Sequence, residues 1–371
     1  MLFRAQRRML NTARDEARAI LEKSDEKPRA FRSGNLPTFF AEARYSARLI
    51  FEEPEIFVFA LFQWLVIATA YVMWTQALDW IPDSVWNAIS ESRRSTDIPE
   101  FYLVNLFLLG WSFFVVLVAS YPISLLNAAM ASAHYLRNSG QSSTAAKCLT
   151  LASRNMGRLW AFTTIDAWIT VDTILSRLPK RGGSGHTATR ELVYYAWKIG
   201  TVGVLPSLVA GRGYLDAAKD SVALLRRAPA RAIGIRMGYS ALCWIVGILA
   251  YVVAFLMVMV SDFPHGPNWL YNAYILVAAP IIVATGLIAV LIRPFFLIMI
   301  TKLYTDLHVI DDTSVEAAAR RGPNVPALLF FPLMILLLVA FFFGDAIGLR
   351  DWVERLAARD FEAYRRELLG G

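Results

Sequence analysis

From residue 56 onward the chain alternates long apolar runs with short polar stretches, and the runs have the length a bilayer requires. A crossing helix takes about 20 mostly apolar residues. Windows at 56–74, 101–123, 240–260, 271–292 and 325–343 meet that demand with few charges. Segments 158–178 and 191–210 are apolar overall but carry ionisable groups inside. The pattern predicts an all-α fold, a polytopic transmembrane helical bundle of about seven spans, or six if the charged pair forms a re-entrant hairpin. It divides the chain into N-terminal interface helices (1–54), a transmembrane domain (55–345) and a C-terminal amphipathic helix (346–371).

Between the spans the pattern shortens to that of amphipathic helices. Leu10, Ala13, Ala17 and Ile20 share a stripe with Arg7, Arg14 and Arg18 off it, a helix suited to a membrane face or a partner. Near the other end, Val353, Ala357, Phe361, Tyr364 and Leu368 share a face, which predicts packing on a partner or on the chain's own outer loops. Two phrases repeat: ARYSARLIFEEP (43–54) and AKDSVALLRRAP (218–229). Their apolar stripes, Phe39, Phe40, Ala43, Ala47 and Ile50 in one and Tyr214, Leu215, Ala218, Val222 and Leu225 in the other, superpose position for position. Pro54 and Pro229 stand where a new helix begins, a position that tolerates proline. TAAKCLTLASRNMG (144–157) is a looser third version with Gly157 in the place of proline, and EAAARRGP (316–323) a truncated fourth. The phrases read as interface helices, each turned sharply into a span that starts on the inside.

Charge then orients the bundle. The net charge is +7, and Lys and Arg gather beside the apolar runs, where they meet lipid phosphate. No nucleic-acid reading motif accompanies them, so nucleic acid is set aside as a partner. The segment after the first span carries five acids against two arginines, whereas 132–158 and 211–236 are basic. This predicts a cytoplasmic N-terminus, the loop 75–100 outside with Trp80 and Trp86 at the outer interface, and residence in a bacterial inner (plasma) membrane. The basic loop 179–190 disagrees with a seven-span count, which also leaves the C-terminal helix outside.

The run LPSLVAGRGYLDAAKDSVALLRRAP (205–229) joins a proline-ended apolar segment, a small-residue turn and an interface helix. In this it resembles the membrane domain attached to some glycerophosphodiester phosphodiesterases and related bacterial integral membrane proteins, over roughly 101–306. The resemblance implies an all-helical membrane fold with a six-span core, here extended by one span and a tail. No counterpart of the soluble phosphodiesterase portion is present, so the resemblance implies no hydrolase activity.

Chemistry is sought where ionisable groups enter the apolar layer, because such groups are costly there. Thr163, Asp166, Thr170, Thr173 and Arg177 recur at helical spacing, with Asp172 on another face. Tyr194, Lys198 and Thr201 share a face of the next segment. Joined antiparallel, the two segments bring Lys198 to the depth of Thr170 and Asp172, with Asp166 about a turn deeper. The pairing of Lys198 with Asp166 or with Asp172 stays open. Thr163, Asp166, Thr170, Asp172, Lys198 and Thr201 are therefore the candidate intramembrane polar site. Arg236 reads as an inner-face arginine that snorkels to phosphate. Arg293 and Pro294 are a candidate hinge, since proline frees a backbone carbonyl. Phosphate-binding loops, nucleophile elbows and metal-ligand spacings are missing from the sequence; no catalytic residue, metal or cofactor is expected. Cys148 and Cys243 make neither a disulfide framework nor a metal pattern. Two functions follow as expectations. The first is a non-enzymatic membrane subunit or scaffold of a larger complex, meeting lipids and other proteins through its terminal helices, with oligomerisation open. The alternative is a transporter or channel for a small solute or lipid built on the polar stripe.

Overall fold

A computed structural model describes residues 36–82, 102–177, 185–260, 280, 282–307 and 322–370, and among these no strand is present. The helices are α1 (Leu36–Glu52), α2 (Pro54–Asp79), α3 (Tyr102–Asn138), α4 (Ala145–Ser153), α5 (Met156–Arg177), α6 (Gly185–Gly200), α7 (Val204–Val209), α8 (Tyr214–Arg227) and α9 (Pro229–Val260). Then come α10 (Ile282–Asp306), α11 (Val325–Ala340) with a following 3₁₀ turn (Phe341–Phe343), and α12 (Leu349–Gly370). The chain is a membrane-embedded helical bundle. Four helices are long and apolar enough to cross a bilayer, at Pro54–Ala77, Leu106–Asn138, Pro229–Val253 and Ile282–Asp306.

Several expected boundaries move. The span expected at 101–123 runs on through Pro122 to Asn138, about 55 Å at 1.5 Å per residue. The span expected at 271–292 continues through Pro294 to Asp306. The segment expected at 191–210 is broken, because α6 ends at Gly200 and the buried α7 restarts only at Val204. Helix α11 holds 16 residues, about 24 Å, and falls short of a full crossing.

Helix α3 is the central post, with α2, α4, α5, α10, α11 and α12 packed around it. Its C-terminal half is lined by small side chains, and Ala128, Ala129 and Ala131 are fully buried. Small residues let backbones approach closely where lipid supplies no hydrophobic drive between helices. The N-terminal amphipathic stretch, Trp86 and the fourth repeat phrase up to residue 321 lie outside the described residues.

The helix breaks are present: α1 ends just before Pro54, where α2 begins, α8 ends just before Pro229, where α9 begins, and residues 154–155 separate α4 from α5. The side chains of α8 that pack against the protein lie mostly off its apolar stripe. In α8 the buried side chains are Ala217, Ser221 and Leu224, while Leu215 is 74% exposed and Val222 39%. Leu215 and Val222 of the stripe thus face away from the protein, and the neighbouring row of Ala217, Ser221 and Leu224 contacts it. Ser46 and Leu49 of α1 occupy the positions equivalent to Ser221 and Leu224, and all four are buried.

Beyond the elbow, Glu52 accepts from Arg48 (2.5 Å) and from Arg137 of α3, and Glu53 lies 3.7 Å from Arg137. Nearby, buried His134 bridges Tyr45 Oη (3.2 Å) and Thr305 Oγ1 (3.1 Å), joining α1, α3 and α10. At the opposite end Trp80 is packed within the chain. It is 3% exposed and meets Trp111 edge-on within a cluster that includes Phe341. Helix α12 turns Val353 and Ala357 into the chain's own core, and Asp360 Oδ2 accepts from the Val104 N–H at 2.9 Å.

Candidate functional site

Polar residues one turn apart interrupt the apolar surface of α5, and the bundle turns that row inward. Thr163 is buried, while Asp166 and Thr170 follow it along the same face. Helix α6 returns beside α5, and Lys198 Nζ donates to Asp166 Oδ1 at 2.6 Å. The same oxygen accepts from Trp197 Nε1 at 3.1 Å. The ammonium also lies 5.6 Å from the centre of the Tyr194 ring. The pairing open in the sequence is therefore made with Asp166; the side chain of Asp172 lies outside the described residues. Thr170 donates to the Asp166 carbonyl and Thr201 to the Trp197 carbonyl, both at 2.7 Å, so these hydroxyls are satisfied within their own helices.

The break after α6 has a specific lock. Ser221 Oγ of the α8 elbow donates to the Gly200 carbonyl at 2.8 Å and accepts from the Gly203 N–H at 3.0 Å. A side chain at Gly203 would meet Tyr304 at 3.0 Å and Ser221 Cα at 3.2 Å, which explains glycine there. The second elbow thus fixes the end of the helix that carries Lys198.

Helices α9 and α10 face this pair with two arginines. Arg236 lies seven residues into α9, about 10 Å from its start. Its guanidinium lies over the rings of Tyr239 (5.2 Å) and Phe296 (5.5 Å), themselves 4.4 Å apart. The snorkelling reading is replaced by this aromatic seat, which turns the charge toward the bundle interior. In α10 a π-helical turn (Ile288–Ile292) precedes Arg293, whose N–H donates five residues back to the Ile288 carbonyl. The candidate hinge, Arg293 and Pro294, thus stands at a real irregularity of the helix, of a kind frequent at functional sites. With the Gln63 amide turned so that its oxygen faces the guanidinium, it accepts from Arg293 Nε at 3.1 Å and Nη1 at 3.2 Å. Above it, Trp64 Nε1 donates to the Ile282 carbonyl at 3.3 Å, across a gap that only Gly286 leaves open.

Between these walls lies a cavity of about 930 Å³. Thr163, Asp166, Thr170, Lys198 and Thr201 all line it, as does Arg293 of the hinge. Arg236, Asn127, Ser240 and Cys243, which sequence reasoning did not place in the site, line it too. The depth of Arg236, two turns into its span, was the available signal. Its charged groups among the described residues are Lys198, Arg236 and Arg293 against the single carboxylate Asp166. Much of the remaining wall is apolar, with Val115, Val116 and Ala119 of α3, Ile67 and Ala70 of α2, and Ile248 of α9.

A family of unknown function, DUF6159, has a model that matches residues 102–322, more than half of the 371 residues. The chain belongs to that family. The matched segment runs from α3 past α10 and includes every charged group that lines the cavity. No curated protein and no solved structure matches the chain.

Proposed function

We propose that this family member is a non-enzymatic protein that binds a small solute or lipid inside its helical bundle and conveys it through or within the membrane. The cavity carries this reading. Intramembrane charges mark solute pathways more often than lipid-facing surfaces, and a volume of about 930 Å³ lies within the usual range for ligand sites. The scaffold reading leaned on free terminal helices, and α12 spends Val353, Ala357 and Asp360 on contacts with its own chain. The basic segments 132–158 and 211–236 support a cytoplasmic N-terminus in a bacterial inner membrane.

Two native cysteines supply the test. Cys243 lines the cavity, whereas Cys148 is fully buried in α4 and its thiol is pushed up to about 12 by that burial. In membrane vesicles a small polar methanethiosulfonate should modify Cys243 and spare Cys148, as read by peptide mass spectrometry. Equal protection of both thiols would sink the proposal.

A further inference from the structure

The lining of the cavity changes character along α9, and the change has a direction. Arg236 and Arg293 both lie within electrostatic range of Lys198. Asp166 engages Lys198, and among the described residues no carboxylate pairs with Arg236. The aromatic rings seat the guanidinium and leave its in-plane N–H donors unspent, which suits an oxyanion. From Arg236 to Tyr251, both lining residues of α9, the wall extends about 22 Å at 1.5 Å per residue. Along that path the lining of α9 passes from Arg236 and Ser240 to Gly247 and Ile248. A compact hydrophilic solute would leave this apolar half unused. An uncharged hydrocarbon would leave two surplus positive charges uncompensated in a low-dielectric site.

We infer that the cavity takes an anionic amphiphile, with a phosphate or carboxylate against Arg236 and Arg293 beside the Lys198–Asp166 pair, and one alkyl chain along α9 past Gly247 and Ile248. The inference rests on the ligand-chamber reading above and names its substrate class. Gly247 fits the chain's path: a Cβ there would meet only Ile288 Cδ1, at 3.7 Å, so the glycine keeps the groove open rather than relieving a clash.

The test uses the full chain in phosphatidylcholine nanodiscs and follows the alkylation rate of Cys243 by N-ethylmaleimide. Three probes are compared: lysophosphatidate, lysophosphatidylcholine of the same chain length, and inorganic phosphate. Lysophosphatidate at ten times its Kd should slow alkylation about tenfold, since only unoccupied protein reacts. The other two probes should leave the rate unchanged. Arg236→Gln should abolish the protection and Arg236→Lys should retain part of it, with unmodified Cys148 reporting that each variant is folded. Equal protection by lysophosphatidylcholine overturns the anionic headgroup, and protection by inorganic phosphate alone overturns the chain. Protection that survives Arg236→Gln overturns the placement. A Cys243 that reacts freely under every probe overturns the ligand class and leaves the chamber standing; one that never reacts overturns the chamber and this inference with it.

Discussion

The Lys198–Asp166 pair is asymmetric in its surroundings, and its two halves should not be equivalent to mutation. Removing one member of a buried ion pair costs about 3–5 kcal/mol when the partner is left uncompensated. Here the side chains keep 12% (Lys198) and 29% (Asp166) of their surface exposed toward the cavity. Trp197 also continues to donate to Asp166 when the ammonium is gone. Lys198→Met should therefore lose only about 1–3 kcal/mol. Asp166→Asn is worse, because it leaves Lys198, Arg236 and Arg293 around the cavity with no carboxylate among the described lining residues; about 3–4 kcal/mol is expected. The double variant removes one charge of each sign and should return to within about 1 kcal/mol of the parent. Reversible unfolding in mixed micelles, followed by tryptophan fluorescence, measures all four corners of the cycle. The reasoning fails if Asp166→Asn is milder than Lys198→Met, or if the double loss equals the sum of the single ones.

Three further outcomes can be checked independently. Ser221→Ala should cost about 1–3 kcal/mol, because it orphans the Gly200 carbonyl and the Gly203 N–H. The equivalent Ser46→Ala should change unfolding by less than about 0.5 kcal/mol, since that hydroxyl has no partner among the described residues. Gly286→Ala would place a Cβ 2.4 Å from Trp64 Nε1; thermal unfolding should show a loss of about 1–3 kcal/mol, relieved by Trp64→Leu. The Glu52 carboxyl is held below its ordinary 4.5 by hydrogen bonds from Arg48 and then Arg137. Its contribution is complete above that ordinary value and is lost as pH falls through the lowered one. Hydrogen exchange in α1 should accelerate on acidification below the ordinary carboxylate range, and Glu52→Gln should flatten that response.

The helical class and the inward polar row were legible because threonines and an aspartate repeating once per turn stand out against an apolar background. The partner of Lys198 was not legible, since Asp166 and Asp172 lie within two turns of each other and depth alone does not choose. The protein-facing row of α8 was not legible for a reason particular to membranes. Apolar residues there are equally at home against lipid, so periodicity located Leu215 and Val222, while the protein contact is made by Ala217 and Ser221. Arg236 escaped because basic residues near span ends ordinarily reach for phosphate, whereas Arg293 stood out through the proline that follows it. Only the rings of Tyr239 and Phe296, on two different helices, turn Arg236 inward.

The π-helical turn at Ile288–Ile292 also works as a phase shifter. Its wider loop amounts to one residue more than an α-helix needs, so the two halves of α10 follow different angular registers. Deleting a single residue there would let the ordinary ladder close and swing one half by about 100° against the other. Arg293, Phe296 and Ile300 would then confront other neighbours, although no side chain had been altered. One wall of the cavity is thus written in chain length as much as in residue identity, and a scan of substitutions, which conserves length, would pass over it.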